Sequence, residues 1–142
     1  MIHFIVASHG PLATALLESS RMVYGELPHV QAIALTEERG IEGFKQDFAQ
    51  VLQSAGQGAS GVVVLCDMQS GTPWNVACLH SFSPQTQPPV AVVAGVNFPM
   101  LLQTDEVAHL EDANIAAQQL IALTQPTITL ATLTLSVQSD DF

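Results

Sequence analysis

Short apolar runs alternate with amphipathic stretches along most of this chain, and that alternation predicts its elements. The first run, Ile2-His3-Phe4-Ile5-Val6-Ala7, reads as a strand and exits into Ser8-His9-Gly10-Pro11. Pro11 suits the opening turn of a helix, in which Leu12, Ala15, Leu16, Ser19 and Val23 recur at the spacing of one face and Gly25 makes a stop. Val30–Leu35 is short and apolar, a second strand. After Thr36-Glu37-Glu38-Arg39-Gly40, a second helix places Ile41, Phe44, Phe48, Val51, Leu52 and Ala55 on one face and ends at Gly56 and Gly58. Gly61–Cys66 is apolar at every position after its glycine, the pattern of a central parallel strand covered on both faces. In the loop Asp67-Met68-Gln69-Ser70-Gly71-Thr72-Pro73, Thr72 is the expected N-cap and Pro73 the first helical residue, giving a third helix over about 73–82. A turn over 84–89, a strand at Val90–Ala94, a short helix near 100–104 and a last helix over about 112–123 complete the series. Strand-helix alternation of this kind predicts an α/β fold, a doubly wound and mainly parallel sheet with helices on both faces.

The tail breaks the pattern. Thr127-Ile128-Thr129-Leu130-Ala131-Thr132-Leu133-Thr134-Leu135-Ser136-Val137 is β in composition, yet Ile128 and Leu130 are apolar on one parity and Leu133, Leu135 and Val137 on the other. One straight strand would turn half of these to water, so a bulge or a strand exchanged with another subunit would be needed. A chain of 142 residues fits one domain, spanning 1–142. With 48% hydrophobic and 11% charged residues it can bury a core, and its sparse polar surface favours an oligomer.

Charge narrows the partners. Lys+Arg number 3 against 13 Asp+Glu, a net charge of −10, which repels a phosphate backbone and excludes nucleic acid while favouring a basic protein partner. Cys66 and Cys78 have no zinc-type spacing around them and read as buried free thiols. With no leader-like segment and no apolar run of about 18 residues, the expected location is cytoplasmic.

The chemistry concentrates at two strand exits. If the first and third strands are parallel neighbours, His9 and Asp67 emerge side by side at the carboxyl edge of the sheet, where open α/β folds bind ligands. A carboxylate on one ring nitrogen would fix the histidine tautomer and stabilise the cationic ring formed when the other nitrogen attacks. For an incoming phosphoryl group, catalysis is mostly positioning and charge stabilisation. Donors are available in the amides at Gly71 and Thr72, the Thr72 hydroxyl and the Ser8 hydroxyl. His3, His29, His80 and His109 lack such a context and read as core or surface residues. His9 and Asp67 lack a third ligand for a metal.

Three motifs carry a family resemblance: Ile5-Val6-Ala7-Ser8-His9-Gly10, Asp67-Met68-Gln69-Ser70-Gly71-Thr72-Pro73-Trp74-Asn75 and Ala94-Gly95-Val96-Asn97-Phe98-Pro99-Met100-Leu101. In order and spacing the chain resembles the mannose-type IIA component of the bacterial phosphoenolpyruvate-dependent sugar phosphotransferase system. The resemblance implies a phosphocarrier without a small-molecule cofactor, in which His9 accepts a phosphoryl group from HPr and passes it to a histidine of a cognate IIB subunit. It further implies that Asp67 orients His9, that Thr72 and the Gly71 amide help hold the phosphoryl, and that the tail strand is exchanged in a homodimer. Association with membrane IIC and IID subunits would be indirect, and because the chain stops at Phe142 the IIB partner is expected on a separate chain. A regulatory subunit phosphorylated at His9, and a phosphocarrier for a dihydroxyacetone kinase, are the rival expectations.

Overall fold

A computed structural model of the chain describes residues 1–133. Along the chain run β1 (Ile2–His9), α1 (Leu12–Val23), β2 (Val30–Leu35), α2 (Gly40–Gly56), β3 (Gly61–Cys66), α3 (Thr72–Ser81), β4 (Val90–Ala94), α4 (Phe98–Leu102), α5 (Thr104–Val107) and α6 (Ala113–Thr124). Among the described residues four strands pair in parallel in the order β2-β1-β3-β4. The chain leaves β1 towards β2 and then crosses back to β3 on the other side. The two central strands therefore flank the point where the winding direction reverses.

Side-chain alternation splits the core into two layers. Ile2, Phe4 and Val6 of β1 pack with Val63, Leu65, Val93, Met100, Leu101 and Leu120 on the face covered by α1, α4, α5 and α6. Ile5 and Ala7 turn to the opposite face, with Phe44, Phe48 and Leu52 of α2 and Val76 and Ala77 of α3. Every residue of β3 is buried, as expected of a strand covered on both sides.

Most predicted elements stand where the apolar pattern puts them, with three differences. In α1 the inward side is Ala13 and Ser20, with Leu16 and Leu17 partly buried, while Leu12 and Val23 are exposed. The Ser8 hydroxyl accepts a hydrogen bond from the Ala13 amide at 2.8 Å, and this anchor sets the rotation of the first turn. In α3 the N-cap is Gly71 and not Thr72, so Thr72 is already the first helical residue. In the tail, Gln125–Thr127 forms a 3₁₀ turn, and residues 128–133 form no strand, leaving Ile128, Leu130 and Leu133 exposed. The turn, closed by the Ile128 amide on the Gln125 carbonyl, ends regular structure before the predicted strand starts. The remainder of that predicted strand, 134–137, and the exchange that depends on it, lie outside the described residues.

Candidate functional site

Register brings the two strand exits together. Ala7 pairs with Cys66 across β1 and β3, and the Asp67 amide donates to the Ala7 carbonyl at 3.1 Å. The next residues on each strand therefore leave the sheet side by side. Parity then separates Ser8 from His9: Ser8 shares the phase of Phe4 and Val6 and points under α1, whereas His9 shares that of Ile5 and Ala7 and faces α3.

One oxygen of Asp67 holds His9 twice. Oδ2 accepts from the His9 backbone amide at 3.0 Å and pairs with the ring Nδ1 at 2.8 Å. The pairing puts the proton on Nδ1 and leaves the Nε2 lone pair free. The Asp67 side chain is 12% exposed and the His9 side chain 43%, so the carboxylate is shielded while the ring reaches solvent. Burial pushes the Asp67 carboxyl up, but the His9 amide, the His9 ring and the amide of Asp67 itself outweigh it and hold the group below the usual carboxylate range. The other oxygen, Oδ1, is buried without a hydrogen-bond partner among the described residues.

The start of α3 closes against the Cε1–Nε2 side of the ring. A Cβ on Gly71 would lie 2.7 Å from His9 Cε1 and 3.2 Å from Nε2, so only glycine lets the backbone approach this closely. Ser70, just before it, has φ +68°, a left-handed conformation rare outside glycine and typical of tightly determined sites. The first amides of a helix have no partner within the helix, and Pro73 contributes no N–H, so the amides that begin α3 after Gly71 are those of Thr72 and Trp74. The third loop is tied to the same edge: the Val96 amide donates to the Cys66 carbonyl at 3.0 Å, and Asn97 caps α4 by accepting from the Met100 amide at 2.9 Å.

This arrangement has counterparts of known family. Residues 3–121 match the EIIA-man family, described as PTS system fructose IIA component. The chain belongs to that family. Relatives within it include the sorbose-specific EIIA component of Klebsiella pneumoniae, 31% identical over 123 residues that cover 87% of each chain. The fructose-specific EIIA component of Bacillus subtilis (strain 168) is 35% identical over 103 residues, 72% of this chain and 68% of that one. The structure is similar to the mannose/sorbose specific IIA subunit of the phosphotransferase system from Enterococcus faecalis, with a TM-score of 0.79, 32% identity and coverage of 95% of this chain and 98% of that one.

For this EIIA-man member, the residues singled out in sequence fall into two groups. His9, Asp67, Gly71 and the start of α3 at Thr72 converge on one edge. Ser8 lies beneath them: it is fully buried, and its hydroxyl accepts from Ala13 and donates to the Gly10 carbonyl at 3.1 Å, which commits it to the turn below His9. Among the other histidines, His3 is held by the Ala55 carbonyl at 2.7 Å, His29 is buried against Phe4 and His80 packs on Phe48. Cys66 is a buried thiol pushed up to about 12, first by burial and then by the charges of Asp67 and Cys78, so it stays protonated beside the site. No group of His, Cys, Asp and Glu among the described residues could hold a metal ion, and no helix among them is long and apolar enough to cross a membrane.

Sequence reasoning missed one part of this edge. An open cleft of about 700 Å³ adjoins His9 on its β2 side, lined by Pro11, Leu35, Glu37, Glu38 and Ile41. Ile41 has the phase of the buried face of α2 yet is exposed. It sits in the first turn, which lies beyond the end of β2, so no strand covers it. The available signal was an apolar position at the very start of an amphipathic helix, separated from two glutamates only by Arg39 and Gly40.

Proposed function

We propose that this chain is a phosphocarrier whose His9 takes a phosphoryl group on Nε2 from the phosphohistidine of HPr and passes it to a histidine of a cognate IIB subunit, in the cytoplasm, during sugar uptake and phosphorylation. The observation that carries the proposal is the Asp67 contact to Nδ1, which leaves Nε2 as the one ring nitrogen free to attack and aims it past Gly71. In the forward step the Nε2 lone pair forms the new N–P bond while the donor's N–P bond breaks, the electron pair returning to the donor imidazole. The ring then carries positive charge, which the adjacent Asp67 carboxylate offsets. Charge on the phosphoryl oxygens is met by the Thr72 and Trp74 amides at the start of α3 and by the Thr72 hydroxyl. Onward transfer to IIB is the same step in reverse, with His9 as the leaving group.

The names of the relatives support a role in sugar transport, and the cofactor-free chemistry above needs only a donor and an acceptor protein. Contact with the membrane IIC and IID subunits would run through IIB. We also propose that the whole chain, 1–142, is one domain and works as a homodimer that exchanges its tail. Support for this comes from β4, which is a sheet edge among the described residues and borders a cavity of about 260 Å³ lined by Trp74, Cys78, Phe82, Val92 and Ile121. The apolar Ile128, Leu130 and Leu133, which follow α6 in the chain, are exposed.

Intact-mass measurement of wild type and His9→Ala after incubation with phosphoenolpyruvate, enzyme I and HPr, kept alkaline, tests the central claim. One acid-labile phosphoryl is expected on wild type and none on the variant. Equal labelling of both, or no labelling of wild type while HPr is phosphorylated, would overturn it.

A further inference from the structure

The cleft beside His9 combines an apolar floor with charge that nothing in the chain answers. Pro11, Leu35 and Ile41 line it, and Leu12, exposed like Ile41, lies next to Pro11. An exposed isoleucine and leucine flanking a reactive histidine form the kind of contact surface that a partner protein covers. Glu37 and Glu38 stand on the rim, both exposed.

The chain's cations are already engaged. Lys+Arg number 3, and each has a carboxylate of its own: Arg21 pairs with Glu26 at 3.0 Å, Arg39 with Asp47 at 2.7 Å and Lys45 with Glu42 at 3.3 Å. Arg39, the immediate neighbour of Glu38, grips Asp47 through both Nε and Nη2 and so turns along α2 and away from the rim. Among the described residues, Glu37 and Glu38 enter no ion pair. Two adjacent carboxylates with no internal counter-charge, in an apolar cleft that His9 also lines, call for positive charge from outside.

We propose that this cleft is the seat of the basic phosphoryl donor: an apolar side chain of the donor rests on Leu35 and Ile41 while its lysine or arginine residues reach Glu37 and Glu38, bringing its phosphohistidine in line with His9 Nε2. The proposal rests on the phosphocarrier function of His9 and adds which residues select the donor. Steering by the glutamates acts on encounter, and the chemical step belongs to His9, Asp67 and the start of α3.

The test is the initial rate of transfer from phospho-HPr to wild type, to Glu37→Gln/Glu38→Gln and to Glu18→Gln/Glu106→Gln. The last pair removes the same charge from exposed positions on α1 and α5, on the other face of the sheet. At low ionic strength the rim pair should lower kcat/KM about tenfold through KM with kcat unchanged, and the deficit should shrink as salt approaches about 0.5 M. Ile41→Ser should raise KM with a deficit that salt does not remove. Equal losses for the two glutamate pairs, or none for the rim pair, would overturn the cleft assignment while leaving His9 as the acceptor. Failure of wild type to accept a phosphoryl at all would instead overturn the phosphocarrier function, and this proposal with it.

Discussion

One carboxylate oxygen of Asp67 holds the His9 ring and backbone at 2.8 Å and 3.0 Å, and in the proposed transfer it would set the tautomer, the orientation and the charge that balances the ring. Asp67→Asn preserves the shape but removes the charge, so phosphorylation should slow by about 10²-fold or more while the fold persists. A rate within a factor of about two of wild type would remove Asp67 from the mechanism. The same carboxyl is held below its usual range in the folded protein. A depressed carboxyl stabilises the fold at pH values above its unfolded value, near about 4, and that contribution is lost as pH falls through the folded value. The melting difference between wild type and Asp67→Asn should therefore close as pH falls below about 4.

At the scale of elements, β1 ends in two adjacent residues with opposite duties. Ser8→Ala would leave the buried Ala13 amide without its 2.8 Å acceptor at the start of α1. A loss of about 1–2 kcal/mol and a melting point several degrees lower are expected, with the folded variant still able to take a phosphoryl. An unchanged melting point would show that the anchor contributes nothing. Periodicity revealed the strands well because each is a short apolar run with polar exits. Helix faces were harder to read: in α1 the apolar set Leu12, Leu16, Val23 fits one stripe, but a hydroxyl outside the helix rotates it to bury Ala13 and Ser20. Local propensity favoured Thr72 as the cap of α3, whereas the contact with the His9 ring requires the extended residue at that point to be Gly71. His9 and Asp67 were legible because both follow apolar strands. The acidic cleft was not, since it depends on how far α2 projects past β2.

Across the whole molecule, the tail separates what one chain accomplishes from what two would. A chain ending at Thr127 keeps both core layers as they stand among the described residues, since their members all lie before that point. Under the exchanged-strand proposal it should be folded but monomeric by light scattering, whereas the full chain is dimeric. A truncated chain that remains dimeric would rule out the exchange.

The pairing of all 3 Lys+Arg with carboxylates of the same chain also bears on energetics. A phosphoryl group adds about −1.5 to −2 charges to a molecule already at −10, and no cation is left to absorb them. Nearby amides can orient the group, but the long-range field of the protein works to expel it. Under the phosphocarrier proposal, such a balance would make the phosphorylated form a high-potential intermediate, loaded by contact with a partner and relieved by giving its cargo away.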